Sequence, residues 1–196
     1  KQECNQLLRN KFAQKEEAIL VHISNFRKVK RVQDVVKIFE KVNKQVPSKL
    51  LMIGDGPERL KAEQLCRKLG IAKHVRFLGK LKVIEKFLCI ADVFVLPSET
   101  ESFGLVALEA MASKVAVIST NSGGLPEVNI DGETGYLSDV GDVNKMANDT
   151  IDLLKDAEKL NAFKNNALAH AKTFDLPNIL PQYEAVYQEL SRKIKK

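Results

Sequence analysis

The sequence predicts an α/β chain built on one doubly wound, parallel, Rossmann-like sheet of about six strands, and three observations predict it. Short apolar runs alternate with stretches of helical periodicity along nearly all of the 196 residues. The connections between them are short, which requires parallel pairing through right-handed crossovers. The loops rich in Gly, Pro or charge each follow an apolar run, at the carboxyl end of a strand, where open parallel sheets hold their ligands.

The elements follow in order. Residues 1–17 are expected to form a linker, 18–176 the folded domain and 177–196 a C-terminal helix. Residues 18–24 predict a strand that runs into a basic loop holding Arg27, Lys28, Lys30 and Arg31. Val32, Val35, Val36, Phe39 and Val42 then recur at helical spacing. After Pro47 and Ser48, the continuous apolar run 50–53 suits a strand covered on both faces. Residues 54–57, Gly-Asp-Gly-Pro, predict a turn in which Pro57 opens a helix. Ala62, Leu65, Cys66 and Leu69 form the buried face of that helix, and Gly70 ends it. A strand at 75–78, a short helix at 83–90 and a strand at 93–96, closed by Pro97, come next. A helix at 105–111 precedes a strand at 115–119, a loop at 121–127 and a weak last strand at 135–137. Helices fill the rest, with breaks near Asp156 and at 177–181.

Composition bounds the function. At 44% hydrophobic and 29% charged, the chain can bury a core of ordinary size. No apolar run approaches the roughly 20 residues of a membrane helix, and residues 1–9 lack the apolar centre of a signal peptide. Opening on Lys1 instead of Met, the chain is expected to be an excised piece of a longer protein. The net charge of +6 admits nucleic acid, anionic lipid or phosphate-bearing small molecules as partners. Aromatics make up only 6% and do not interleave with the basic residues, which argues against a stacking platform for single strands. The basic end, Arg192, Lys193, Lys195 and Lys196, is expected to be a solvated terminus. Cys4, Cys66 and Cys89 are odd in number and show no metal or redox spacing. Cys66 and Cys89 fit small core positions, in a reducing, cytoplasmic setting. His22, His74 and His170 have no ligand spacing, so no metal and no cofactor is expected. His22, between Val21 and Ile23, is expected to be packed in the fold.

The sharpest chemical feature is Glu101-Ser102-Phe103-Gly104-Leu105-Val106-Ala107-Leu108-Glu109, which passes from a loop into a helix. A helix start carries unpaired N–H groups and about half a positive charge, and so attracts phosphate. Gly104 permits close approach to the backbone, and Ser102 is placed to cap the helix. A carboxylate at Glu109 can accept hydrogen bonds from two neighbouring hydroxyls, as on a ribose. By spacing alone, the two glutamates fit compensation of the helix dipole equally well. The glycine fingerprint of dinucleotide sites and the Walker phosphate loop are both absent, which argues against NAD enzymes and P-loop ATPases.

Taken together, the loops are more specific. Residues 26–31 (Phe-Arg-Lys-Val-Lys-Arg), 54–58 (Gly-Asp-Gly-Pro-Glu), 75–79 (Val-Arg-Phe-Leu-Gly), 97–104 (Pro-Ser-Glu-Thr-Glu-Ser-Phe-Gly) and 123–127 (Gly-Gly-Leu-Pro-Glu) form a series. This series resembles the donor domain of family 4 glycosyltransferases, retaining enzymes whose GT-B fold pairs two such domains. The likeness runs from about Ala18 to the last helix and implies the C-terminal half of that fold. Within the family, residues 22–31, 102–106 and 124–128 are most similar to members that transfer N-acetylglucosamine from UDP-GlcNAc to L-malate, the first step of bacillithiol synthesis. The resemblance implies that Lys30 neutralises the donor diphosphate and that Glu101 lies close to the donor sugar, the two residues nearest the chemistry. It implies that the backbone of Phe103, Gly104 and Leu105 meets phosphate and sugar, and that Glu109 binds the ribose. Gly54 and the strand end from Arg76 to Lys80 would wall the uracil and ribose. Where the family has an arginine this chain has Asn25; either Arg27 supplies the missing charge or the clamp is weaker. The acceptor site would belong to a preceding N-terminal domain, toward which the helix holding Tyr183 and Tyr187 would pack.

Three other readings stay open. One is a family 4 enzyme with a lipid or polysaccharide acceptor. A second is a UDP-GlcNAc 2-epimerase, against which the 101–109 segment argues. The third, from another class, is a basic nucleic-acid-binding module, though no nucleic-acid partner is expected.

Overall fold

The computed structural model describes residues 6–194. Its strands are β1 (Ala18–Ile23), β2 (Ser48–Ile53), β3 (Val75–Gly79), β4 (Val93–Leu96), β5 (Ala116–Thr120) and β6 (Gly135–Ser138). They form one sheet in the order β3-β2-β1-β4-β5-β6, with every pairing parallel. Each strand lies within two residues of its expected bounds. The helices are α1 (Gln6–Asn10), α2 (Val32–Asn43), α3 (Arg59–Lys68), α4 (Glu85–Leu88), α5 (Leu105–Ala112), α6 (Leu125–Val128), α7 (Val143–Lys155), α8 (Ala157–Ala171) and α9 (Leu176–Ile194).

Alternation along the strands feeds two cores. Leu20, Leu50, Met52, Val93, Val95 and Ile118 pack on one face against α2, α3 and α7, through residues such as Phe39, Ala62 and Met146. Val21, Leu51, Ile53, Phe94, Leu96 and Val117 pack on the other against α4, α5 and α8, through Leu88, Met111 and Ala167. Burial on both faces explains the unbroken apolar runs of β2 and β4. The chain winds outward from β1 to β3, returns, and winds the other way from β4 to β6. The reversal falls between β1 and β4, and the loops after those two strands diverge there to leave a crevice.

At the amino ends of the strands, Asp92 ties the fold together. Its carboxylate accepts from Arg9 (2.9 Å), from Lys164 (3.0 Å) and from the Ile19 amide (2.9 Å). Those cations and that amide outweigh the cost of burial and hold the Asp92 carboxyl below its ordinary range. Arg9 also donates to the carbonyls of Ile90 and Glu17. The segment ahead of β1, expected as a linker, is therefore stitched to the sheet through α1.

Several local expectations are corrected. Pro57 lies ahead of α3, whose first helical residue is Arg59. Residues 125–127 of the expected 121–127 loop belong to α6, which ends at Val128, with Pro126 in its first turn, where a missing N–H costs nothing. The final break lies at Asp175, which is extended, and α9 runs on through Pro181. Pro177 and Pro181 are both exposed, so water can satisfy the carbonyl that Pro181 leaves unpaired. Asp156 does break the helices: it ends α7 and caps α8, its carboxylate accepting from the Lys159 amide at 2.9 Å. Cys66 is buried and its thiol is pushed up to about 11 by desolvation, whereas Cys89 is only half-buried. Cys4, Lys195 and Lys196 lie outside the described residues, as do the side chains of Arg192 and Lys193. Among the described residues, no helix is long and apolar enough to cross a membrane.

Candidate functional site

The crevice at the winding reversal is a cleft of about 460 Å³. Asn25 and Lys30 line it from the loop after β1, and Glu101, Ser102, Phe103 and Gly104 from the loop after β4. Leu105, Val106 and Glu109 line it from α5. The two loops are joined directly, the Glu99 amide donating to the Val29 carbonyl at 2.7 Å.

Each loop has a local cause. His22, wholly buried in β1, lies 2.8 Å from the Val95 carbonyl through Nδ1 and 2.8 Å from Ser24 Oγ through Nε2. A carbonyl only accepts, so Nδ1 carries the proton and Nε2 accepts from the serine hydroxyl. Ser24 Oγ in turn accepts from the Phe26 amide at 3.2 Å. That chain holds Phe26 in the left-handed region (φ 41°) with its ring buried, stacked on His22 at 6.0 Å. The turn at Phe26 leads the backbone into a 3-10 turn, Lys28–Lys30, which delivers Lys30 to the cleft. Desolvation pushes His22 down to about 4, and the nearby Lys30 charge pushes the same way.

Of the four cations after β1, only Lys30 reaches the cleft. Its Nζ is 2.5 Å from Glu101 Oε1, and that same oxygen accepts from Ser98 Oγ at 2.9 Å. Arg31 pairs with Asp34, while Arg27 and Lys28 are exposed. Helix α5 begins at Leu105 behind Gly104 (φ 90°), and no side chain caps it, so Ser102 is not the cap that was expected. The uncapped first turn leaves N–H groups available at the cleft wall for an anion. The carboxylate of Glu109, one turn along α5, makes no hydrogen bond or ion pair among the described residues. Burial, and then the charge of Glu85, raise its carboxyl above the ordinary range.

The cleft thus gathers Asn25, Lys30, Glu101, Phe103, Gly104, Leu105 and Glu109 of the expected site residues. Arg27, Gly54, Arg76 and Lys80 stand outside its lining. Gly54 (φ 122°) has a structural reason to be glycine: a Cβ there would lie 1.8 Å from the Ser24 carbonyl oxygen. Its amide bonds the Gly79 carbonyl at 2.8 Å, which ties the ends of β2 and β3 together. Arg76 and Lys80 are exposed on and just after β3, at the sheet edge. Ile23, Ser24, Ile84 and Val106 line the cleft without having been singled out. Ile84 carried no signal, because it comes from the connection between β3 and β4 and not from the loops after β1 and β4 or from α5. Among the described residues, no group of three or more His, Cys, Asp or Glu is placed to hold a metal ion.

A parallel doubly wound sheet with an uncapped helix start, a cation and two carboxylates at its winding reversal is a Rossmann-like domain with a polar cleft where such sheets hold their ligands. Residues 5–170 match the family model described as glycosyl transferases group 1, and the chain belongs to that family. It is 46% identical over 193 residues to N-acetyl-alpha-D-glucosaminyl L-malate synthase of Bacillus anthracis, covering 98% of this chain and 51% of that protein. It is 39% identical over 141 residues to D-inositol 3-phosphate glycosyltransferase of Corynebacterium urealyticum, covering 70% of this chain and 33% of the relative. Among solved structures, Anabaena Alr3699/HepE in complex with UDP superimposes with a TM-score of 0.86 at 25% identity, over 94% of this chain and 52% of that one. Sucrose-phosphate synthase from Thermosynechococcus elongatus does so with a TM-score of 0.83 at 27% identity, over 96% and 48%. The chain spans about half the length of the proteins it matches most fully.

Proposed function

We propose that this chain is the donor-binding domain of a retaining, UDP-sugar-dependent glycosyltransferase, that its donor is UDP-GlcNAc, and that the whole protein transfers GlcNAc to L-malate. The carrying observation is the convergence of Lys30, Glu101, Glu109 and the uncapped start of α5 on one cleft. In this reading Lys30 and the α5 amides stabilise the charge that develops on the departing diphosphate. Glu109 accepts from the ribose hydroxyls, and Glu101 meets the sugar. The 46% identity to the malate synthase supports the choice of donor and acceptor.

Acceptor binding is assigned to a separate N-terminal domain of the whole protein. A second groove, of about 490 Å³, supports such a partner. Phe103, Leu105, Phe174, Ile179, Tyr183 and Val186 line it, and it adjoins the cleft through the shared Phe103 and Leu105. Transfer needs donor and acceptor held in reactive contact, an alignment worth roughly 7–11 kcal/mol of barrier, and this chain is expected to hold only the donor.

Calorimetric titration of the folded chain with UDP, and separately with a DNA duplex at two salt concentrations, tests the reading. Saturable UDP binding is expected. Duplex binding that weakens steeply with salt, without heat from UDP at millimolar concentration, would overturn it in favour of a nucleic-acid module.

A further inference from the structure

Glu101 Oε1 takes both hydrogen bonds that reach this carboxylate, from Lys30 and from Ser98, and Oε2 accepts none among the described residues. We propose that Ser98 is the positioning residue of this site: by holding Oε1 it aims Oε2 at the donor sugar, and it keeps that aim when Lys30 turns to the phosphates. The inference rests on the donor-site reading above.

The two donors to Oε1 differ in kind. Lys30 is a cation on a long, flexible stem, and a diphosphate competes directly for it. Ser98 has a short side chain and is wholly buried two residues past the end of β4. Its carbonyl accepts from Thr120 Oγ1 at 2.6 Å, and Thr120 is the equally buried last residue of β5. The serine hydroxyl is therefore anchored to two central strands.

Glu101 itself follows the exposed residues Glu99 and Thr100. Its loop is held by backbone contacts with the segment after β5. The Gly124 amide donates to the Glu101 carbonyl at 3.0 Å, and Ser122 Oγ donates to the Glu99 carbonyl at 2.7 Å. A Cβ on Gly123 would lie 1.8 Å from that same Glu101 oxygen. Those contacts fix the main chain of Glu101 and leave its side-chain torsions free. The Ser98 hydroxyl restricts the torsions, which is what a supporting shell must do for a functional carboxylate.

The test compares affinities for UDP-GlcNAc and UDP by calorimetry on the chain, on Ser98→Ala, on Glu101→Ala and on the double variant. The quantity read is the affinity ratio between the two ligands, which isolates the sugar. Ser98→Ala is expected to leave UDP affinity unchanged and to lower the ratio by roughly fivefold, the worth of one hydrogen bond. In the Glu101→Ala background, Ser98→Ala is expected to change the ratio no further. A loss of equal size in both backgrounds overturns the proposal, since Ser98 would then act without Glu101. An unchanged ratio in Ser98→Ala overturns it too, with Glu101→Ala still lowering the ratio and the donor-site reading intact. If Glu101→Ala itself leaves the ratio unchanged, the sugar role of Glu101 fails and the proposal falls with it. Should Ser98→Ala not fold, Ser98→Cys, similar in size but a weak donor, carries the same expectations.

Discussion

Lys30 Nζ and Glu101 Oε1 stand 2.5 Å apart, both side chains less than one-fifth exposed, so the cation assigned to the donor phosphates is paired with the carboxylate assigned to the donor sugar. A ligand that carries diphosphate must compete with Glu101 for Lys30. Removal of the carboxylate frees the cation, and Glu101→Ala is expected to raise UDP affinity by roughly two- to fivefold. Glu109→Ala is expected to lower it, by about 1.5–3 kcal/mol if the carboxylate holds the ribose. Calorimetry with UDP alone checks both, and equal losses in the two variants would contradict the assignment.

Lys30→Ala separates phosphate from nucleoside. UDP affinity is expected to fall at least tenfold, about 1.4 kcal/mol, with uridine affinity unchanged. Arg27 is exposed and outside the cleft lining, so Arg27→Ala is expected to affect UDP far less. Parallel losses of UDP and uridine in Lys30→Ala would mean that this lysine supports the fold and not the phosphate.

Gly123 and Gly132 both have positive φ, 61° and 76°, but only Gly123 faces an obstacle. Around Gly132 a Cβ meets nothing within 4 Å. Gly132→Ala is therefore expected to cost only the conformational penalty, about 1–2 kcal/mol. Gly123→Ala must also push away the Glu101 carbonyl, and a loss above about 3 kcal/mol is expected. Urea denaturation of the two variants measures the difference, and equal midpoints would show that the loop after β4 yields freely.

His22 makes stability depend on pH with a definite sign. Its value is about 4 in the fold against an ordinary 6.5, so the unfolded chain binds the extra proton first as pH falls. The stability that neutral His22 carries is complete above about pH 6.5 and is lost as pH drops toward 4, in total about 3 kcal/mol. His22→Asn is expected to be less stable at pH 7 and to show a flatter decline between pH 6.5 and 4.5. Denaturation midpoints across that range check the slope, and identical slopes would remove His22 as its source.

The features legible from sequence were those that local pattern controls. The apolar runs located all six strands, most plainly β4 and the second half of β2, where burial on both faces leaves an unbroken apolar run. The segment from Glu101 to Glu109 announced the cleft, because a loop rich in Gly and acid ahead of a helix is a local signal. What stayed hidden depends on contacts distant in the chain. Asp92 shows nothing of Arg9 or Lys164, which lie 83 and 72 residues away. Ser98 was quoted within its loop without a role, since only folding brings its hydroxyl to Glu101. The four cations after β1 looked alike in sequence; the turn at Phe26 and the local acid Asp34 sort them, leaving Lys30 alone to face the cleft.

The stitching around Asp92 has a bearing on how this domain can change over generations. Arg9, Asp92 and Lys164, with the Lys49–Glu17 pair beside them, fasten the amino ends of the strands, while the ligand-facing residues occupy the opposite ends. Because strands in a parallel sheet all point one way, these two sets of residues are held a full strand length apart. Substitutions in the cleft loops can then drift toward other sugars while the far ends keep the sheet closed, and damage at Asp92 should appear first as faster unfolding and not as altered ligand choice.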